Sequence, residues 1–168
     1  MMTATFSEVP SRADQEFALT GDEIKRLLDG NGNSISIQDT WPALHFTLTS
    51  EVPIPKEEAL RRGVDFPADP LEEVLMGGSA TSVRTAFGPV RLLTLPEVRQ
   101  SAQLLSAVTI DDFTDWFDAE ALENEHIPPA GWPQEHHRLD DLLAAFIAVR
   151  DFYEQAAAKD SGILIAFE

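Results

Sequence analysis

Cysteine is missing from this sequence, which removes disulfides, thiolate nucleophiles and every cysteine-based metal or iron–sulfur site. Basic residues are scarce: 12 Lys and Arg stand against 29 Asp and Glu, a formal charge of −17. A field of that sign repels phosphate backbones and anionic membranes, so neither nucleic acid nor a membrane is expected as a partner. No apolar run approaches the ~20 residues that span a bilayer. The opening MMTATFSEVP has neither the basic start nor the apolar core of a secretory leader. Together these absences predict a cytoplasmic protein. Common catalytic fingerprints are also lacking. Gly77-Gly78-Ser79 has no following lysine or second glycine at phosphate-loop spacing and reads as a helix stop and turn, and no HExxH occurs.

What is present points to one globular domain over residues 1–168, because 43% of the residues are apolar and 24% charged. Met2 to Val9 alternates, with Met2, Ala4 and Phe6 on one face, as a half-buried strand does. A connector through Pro10 and Arg12 leads to Thr20-Gly21-Asp22-Glu23, a capping box, and Ile24, Leu27 and Leu28 form the apolar face of the helix it opens. Asp29 to Asn33 ends that helix with glycine and asparagine, and Ile35 and Ile37 predict a short strand.

Residues 51–69 form a Pro-rich excursion in which only Lys56 to Arg62 has helical character; it is either a lid or a plain loop. Asp69-Pro70-Leu71-Glu72 starts a helix of about two turns that Gly77-Gly78 closes. Ser79 to Phe87 is a strand or an ordered loop, and Pro89 to Leu93 a strand. Thr94-Leu95-Pro96-Glu97 and Thr109-Ile110-Asp111-Asp112 open two further helices, the second carrying Phe113, Trp116 and Phe117 inward. Ala119 to Glu125 adds a turn or two, and Ile127 to Pro133 is a loop. A long amphipathic helix runs from about Arg138 to Lys159, where Leu139, Leu142, Phe146, Val149 and Tyr153 keep helical spacing. Ile163 to Phe167 is a continuous apolar run of the kind found in a strand covered on both faces. The predicted fold is mixed α/β: a small sheet of about 3–5 strands, the C-terminal one inside it, sandwiched by helices.

One stretch combines apolar regularity with a titratable group. In Asp39 to Ser50, Trp41, Leu44, His45 and Leu48 fall at i, i+3, i+4 and i+7, one face of a short helix. Asp39 or Thr40 is placed to cap its start, and Pro42 sits where a missing N–H costs little. His45 on that stripe is either a core histidine bonded to a carbonyl or a site residue. Trp41, Trp116 and Trp132 read as core and loop anchors rather than a ligand box.

These residues resemble the YfbM-like family of small bacterial proteins. The resemblance rests on W-x-x-L-H-x-x-L-T, here Trp41, Leu44, His45, Leu48 and Thr49. It extends through the threonine-capped helix after a strand (Leu92 to Val108), the aromatic acidic helix (Asp112 to Asp118), the Ile127-Pro128 pair, and the closing helix and strand. Family members commonly have glycine where this chain has Ser50, and tyrosine where it has Ile127. The Pro-rich segment has no motif that aligns. The resemblance implies a mixed α/β fold and supplies no reaction.

Two functional expectations follow. The first is a non-catalytic binding or interaction domain whose acidic surface and Pro-rich segment meet a protein partner, in the manner of acidic immunity proteins. The second is a small hydrolase or small-molecule-binding domain with His45 at the floor of a pocket under the Pro-rich segment, His45 being the candidate catalytic group and Trp41, His45 and Thr49 the candidate ligand contacts. Whether the protein is an enzyme stays open between them. Glu135-His136-His137, with Asp140 and His126, gathers metal-binding side-chain types near a helix start. Adjacent histidines leave a helix on different sides, so a solvated helix start is the better account and no metal or other cofactor is expected.

Overall fold

The computed structural model of the protein describes residues 2–10, 19–30 and 32–168. Arg12 of the expected connector and Asn31 of the expected helix stop lie outside the described residues. Among the described residues five strands form one sheet: β1 (Ala4–Val9), β2 (Ser34–Ile37), β3 (Ser79–Thr85), β4 (Gly88–Leu93) and β5 (Gly162–Phe167), in the order β2-β1-β5-β4-β3. Every pairing is antiparallel. The apolar C-terminal strand takes the centre because it buries side chains on both faces along nearly its whole length. Ile163 and Ile165 enter one apolar cluster, while Leu164 and Ala166 enter the other.

The two faces are covered unequally. On one, α1 (Gly21–Leu28) is the one described helix, held by Ile24 against Val9, Val90, Leu164 and Ala166. Burying Ile24 stabilises this contact by about 2 kcal/mol. Thr20 caps α1 by accepting from the Glu23 N–H at 3.2 Å. The remaining described helices cover the other face: α2 (Trp41–Thr49), α3 (Lys56–Arg61), α4 (Glu73–Met76), α5 (Leu95–Ser106), α6 (Ile110–Trp116), α7 (Ala119–Asn124) and α8 (Arg138–Ala158). The long helix α8 lies over β1, with Phe6 6.2 Å from Tyr153 and 6.5 Å from Phe152 between ring centroids. Phe113 of α6 stacks on Phe146 of α8 at 4.8 Å.

The threonine boxes form where expected. Glu97 Oε1 accepts from the Thr94 N–H and hydroxyl at 3.3 and 2.8 Å, and Thr109 and Asp112 exchange backbone-to-side-chain bonds, both at 3.0 Å. Five details depart from the sequence reading. The helix after Asp69 splits into a 3₁₀ turn, Pro70–Glu72, and the single α turn of α4. Trp116 is 46% exposed, because the chain leaves α6 extended at Phe117, and it is Phe117 that meets Trp132 at 6.2 Å. Trp132 lies in a short 3₁₀ turn rather than a plain loop, with its indole N–H donating to Ile127 O at 2.8 Å. Helix α2 starts without the expected cap: no side-chain bond is made at Thr40, which is itself helical, and the Trp41 N–H goes to Gln38 O at 3.1 Å.

The fifth departure sets up the site. Besides the predicted stripe, Ala43, Thr47 and Thr49 of α2 are buried, so the helix is enclosed nearly all round instead of on one face. A helix apolar on most sides belongs in the interior, and this one is roofed by the segments that follow it. Its exit is a left-handed Ser50 at φ 59°. Gly78, at φ +83°, then turns the chain from α4 into β3, where a Cβ would stand 2.9 Å from the Leu92 carbonyl oxygen. That close approach lays α4 against β4.

Candidate functional site

Arg91 of β4 stands opposite Ile165, which itself stands opposite Phe6, so these side chains form a row on the thickly covered face. An arginine in this row is buried by construction, and it is only 3% exposed. One guanidinium nitrogen, Nη2, donates to the Leu75 carbonyl at 3.3 Å and lies 4.0 Å from Met76 Sδ. The group sits 5.5 Å from the centre of the Phe167 ring. Nη1 lies 3.8 Å from Glu57 Oε2, too far for a hydrogen bond, and Nε is buried without a partner among the described residues. Burial pulls the Arg91 pKa down, and Glu57, Tyr153 and Glu73 oppose that pull. Arginine stays cationic regardless, so the protein holds a positive charge whose donors it satisfies only in part.

Above Arg91 is a cleft of about 180 Å³. Trp41 of α2 forms one wall, fixed by donation from its indole N–H to Met2 O at 3.2 Å and by contact with the Phe167 ring at 4.7 Å. Pro53 and Pro55 of the excursion form a second wall, Phe87 and Pro89 of the β3–β4 hairpin a third, and Glu57 and Arg91 supply the charge. An engineered cavity of about 150 Å³ holds benzene, so this volume suits a ligand body of roughly six to eight heavy atoms.

Of the sequence candidates, Trp41 lines this cleft and His45 and Thr49 do not. His45 is 1% exposed, and its Nδ1 has no hydrogen-bond partner among the described residues. Its pKa is lowered from 6.5 to about 4, first by burial and then by the positive charge of Arg91. The ring is therefore a neutral group beneath the site. The Thr49 hydroxyl donates to His45 O at 2.8 Å and accepts from the Glu51 N–H at 3.0 Å, closing α2 and aiming the chain into the excursion. Tyr153, buried beside this region, donates its hydroxyl to Val74 O at 2.6 Å; burial, with Glu73, raises its pKa. His136 and His137 are exposed on the helix start, with His137 Nδ1 3.6 Å from Glu135 Oε2. Among the described residues no three His, Asp or Glu side chains are grouped as a metal site. No helix among them is long and apolar enough to cross a membrane.

The profile of a domain of unknown function, DUF1877, matches residues 8–166. The chain belongs to this family. Its fold is that of the crystal structure of YfbM from Escherichia coli, itself described as a protein of unknown function, with a TM-score of 0.72 and 17% identity over 99% of both chains. No curated protein matches the sequence. The solved structure thus shares the architecture, and the chemistry is left to the residues.

Arg91 was missed in the sequence. Its signal is faint: alternation through Val90-Arg91-Leu92-Leu93 places one of the chain's 12 basic residues on the same face as Leu93. That face is the interior only because α2, α4 and α8 cover it, which no local pattern reveals.

Proposed function

We propose that the protein is a non-catalytic binding domain that takes a small molecule with an apolar body in the cleft over Arg91. The observation that carries this reading is the cleft itself: about 180 Å³ walled by Trp41, prolines and Phe87, with one buried cation at its base. A few fixed polar groups inside an apolar concavity are what small-ligand sites share. The residues nearby support binding over turnover. His45 is enclosed and neutral, and the Tyr153 hydroxyl is committed to a carbonyl. A hydrolase built on His45 needs that ring at the cleft surface. The excursion acts as a side wall with lid character, since Pro53 and Pro55 face the ligand space and stiffen the chain there. The lack of cysteine supports a cytoplasmic setting.

Ligand-observed NMR with six-carbon fragments, hexanol among them, tests the reading. Binding that Phe87→Ala weakens is expected, and Phe87 at 50% exposure can be trimmed without disturbing the core. No fragment binding, or binding indifferent to Phe87, overturns it.

The formal charge of −17 supports a second reading, a basic protein partner held by the acidic surface. Native pull-downs at low and high salt test it, and absence of a stoichiometric, salt-sensitive partner counts against it.

A further inference from the structure

The cleft's charged pair points to a ligand of definite chemistry. Arg91 is buried, yet the protein gives it one carbonyl, one thioether and one ring, and leaves Nε without a partner. Its nearest anion is Glu57, which comes from α3 in the excursion and not from the core. Glu57 approaches Nη1 at 3.8 Å, beyond hydrogen-bond reach, and its side chain is 40% exposed. A loose ion pair with one solvated partner contributes little and exchanges easily. A desolvated guanidinium is best met by a carboxylate that hydrogen-bonds to it directly. The other walls are apolar and the space is short.

We infer that the ligand is a small apolar monocarboxylate whose carboxylate takes the place of Glu57 on Arg91, its hydrocarbon body lying between Trp41 and Phe87. This inference rests on the binding reading above and goes further by naming the head group and the residue it displaces. Glu57 is then an internal stand-in that competes with the ligand. Departure of its carboxylate removes the ion pair that joins α3 to β4, so ligand binding loosens the excursion.

The experiment compares hexanoate, hexanol and hexylamine on the full chain by ligand-observed NMR in about 0.15 M salt, where repulsion from distant surface acids is screened beyond ~8 Å. Hexanoate is expected to bind at least about ten-fold tighter than hexanol, as a charge-assisted bond implies, and hexylamine weakest. Glu57→Gln should tighten hexanoate at least about three-fold by removing the competitor, and shift hexanol by less than about two-fold. Arg91→Met should erase the preference for hexanoate; if that variant does not fold, the Glu57→Gln comparison decides alone. Equal binding of hexanoate and hexanol in both the parent chain and Glu57→Gln overturns the inference and leaves the cleft as a binding site. A hexanoate preference that Glu57→Gln leaves unchanged overturns the displacement. Failure of all three compounds to bind overturns the inference and the binding reading together.

Discussion

The two faces of the sheet solve the same burial problem in different ways. On the thin face one described helix, α1, lays Ile24 over Val9, Val90, Leu164 and Ala166, and the small hydroxyl of Ser7, opposite Leu164, is buried with them. On the thick face seven described helices converge, and there the buried polar side chains His45, Arg91 and Tyr153 are found. A single helix on a sheet can match its ridges to the strands without leaving space. Several short helices meeting at different angles cannot close every gap. The cleft at Arg91 is where the α2 start, the excursion and the β3–β4 hairpin fail to meet.

The largest expected effect lies in the packing of the two faces. Leu44→Ala in enclosed α2 should cost about 4 kcal/mol and Ile24→Ala on the thin face about 2–3, by chemical denaturation. Equal losses would erase the distinction between a one-helix cover and an enclosed core. Next comes pH. Folding lowers the His45 pKa from 6.5 to about 4, so between those values the unfolded chain binds a proton that the folded chain refuses. Stability therefore falls as pH drops through that window, by about 3 kcal/mol for this group in full. The slope of stability against pH should be shallower in His45→Gln than in the parent chain, and parallel slopes would show that the ring is not held neutral. A smaller effect follows from Tyr153→Phe, which removes the donor to Val74 O; about 1–2 kcal/mol should be lost. At the low end, Ser50→Gly should gain about 0.5 kcal/mol, since φ 59° suits glycine and the unfolded-state entropy of glycine offsets only part of that relief. A loss there would mean that Ser50 contributes something beyond its backbone.

The glycine that the family resemblance implies after Thr49 fits the geometry: position 50 is left-handed, and serine occupies it under mild strain. Much of the fold was legible in this way. Thr20, Thr94 and Thr109 could be read as helix starts because a cap is settled within four residues. The C-terminal strand could be placed inside the sheet because an apolar run with no polar alternation has no solvent face. The candidate site was half legible. Trp41 is at the cleft, but its neighbour on the stripe, His45, turns inward with the rest of α2. A one-sided apolar stripe marks a helix with a solvent side, and α2 has almost none.

Sequence alone determined the mixed α/β class, the net charge of −17 and the helix starts at Thr20, Thr94 and Thr109, since propensity, capping and period act over a few residues. Tertiary structure decided which side of β4 became interior, and so converted Arg91 from one basic residue among 12 into a buried cation. It also brought Glu57 across from the Pro-rich segment to face it. Burial and charge pairing depend on residues distant in the chain, and those distances close only when the helices pack.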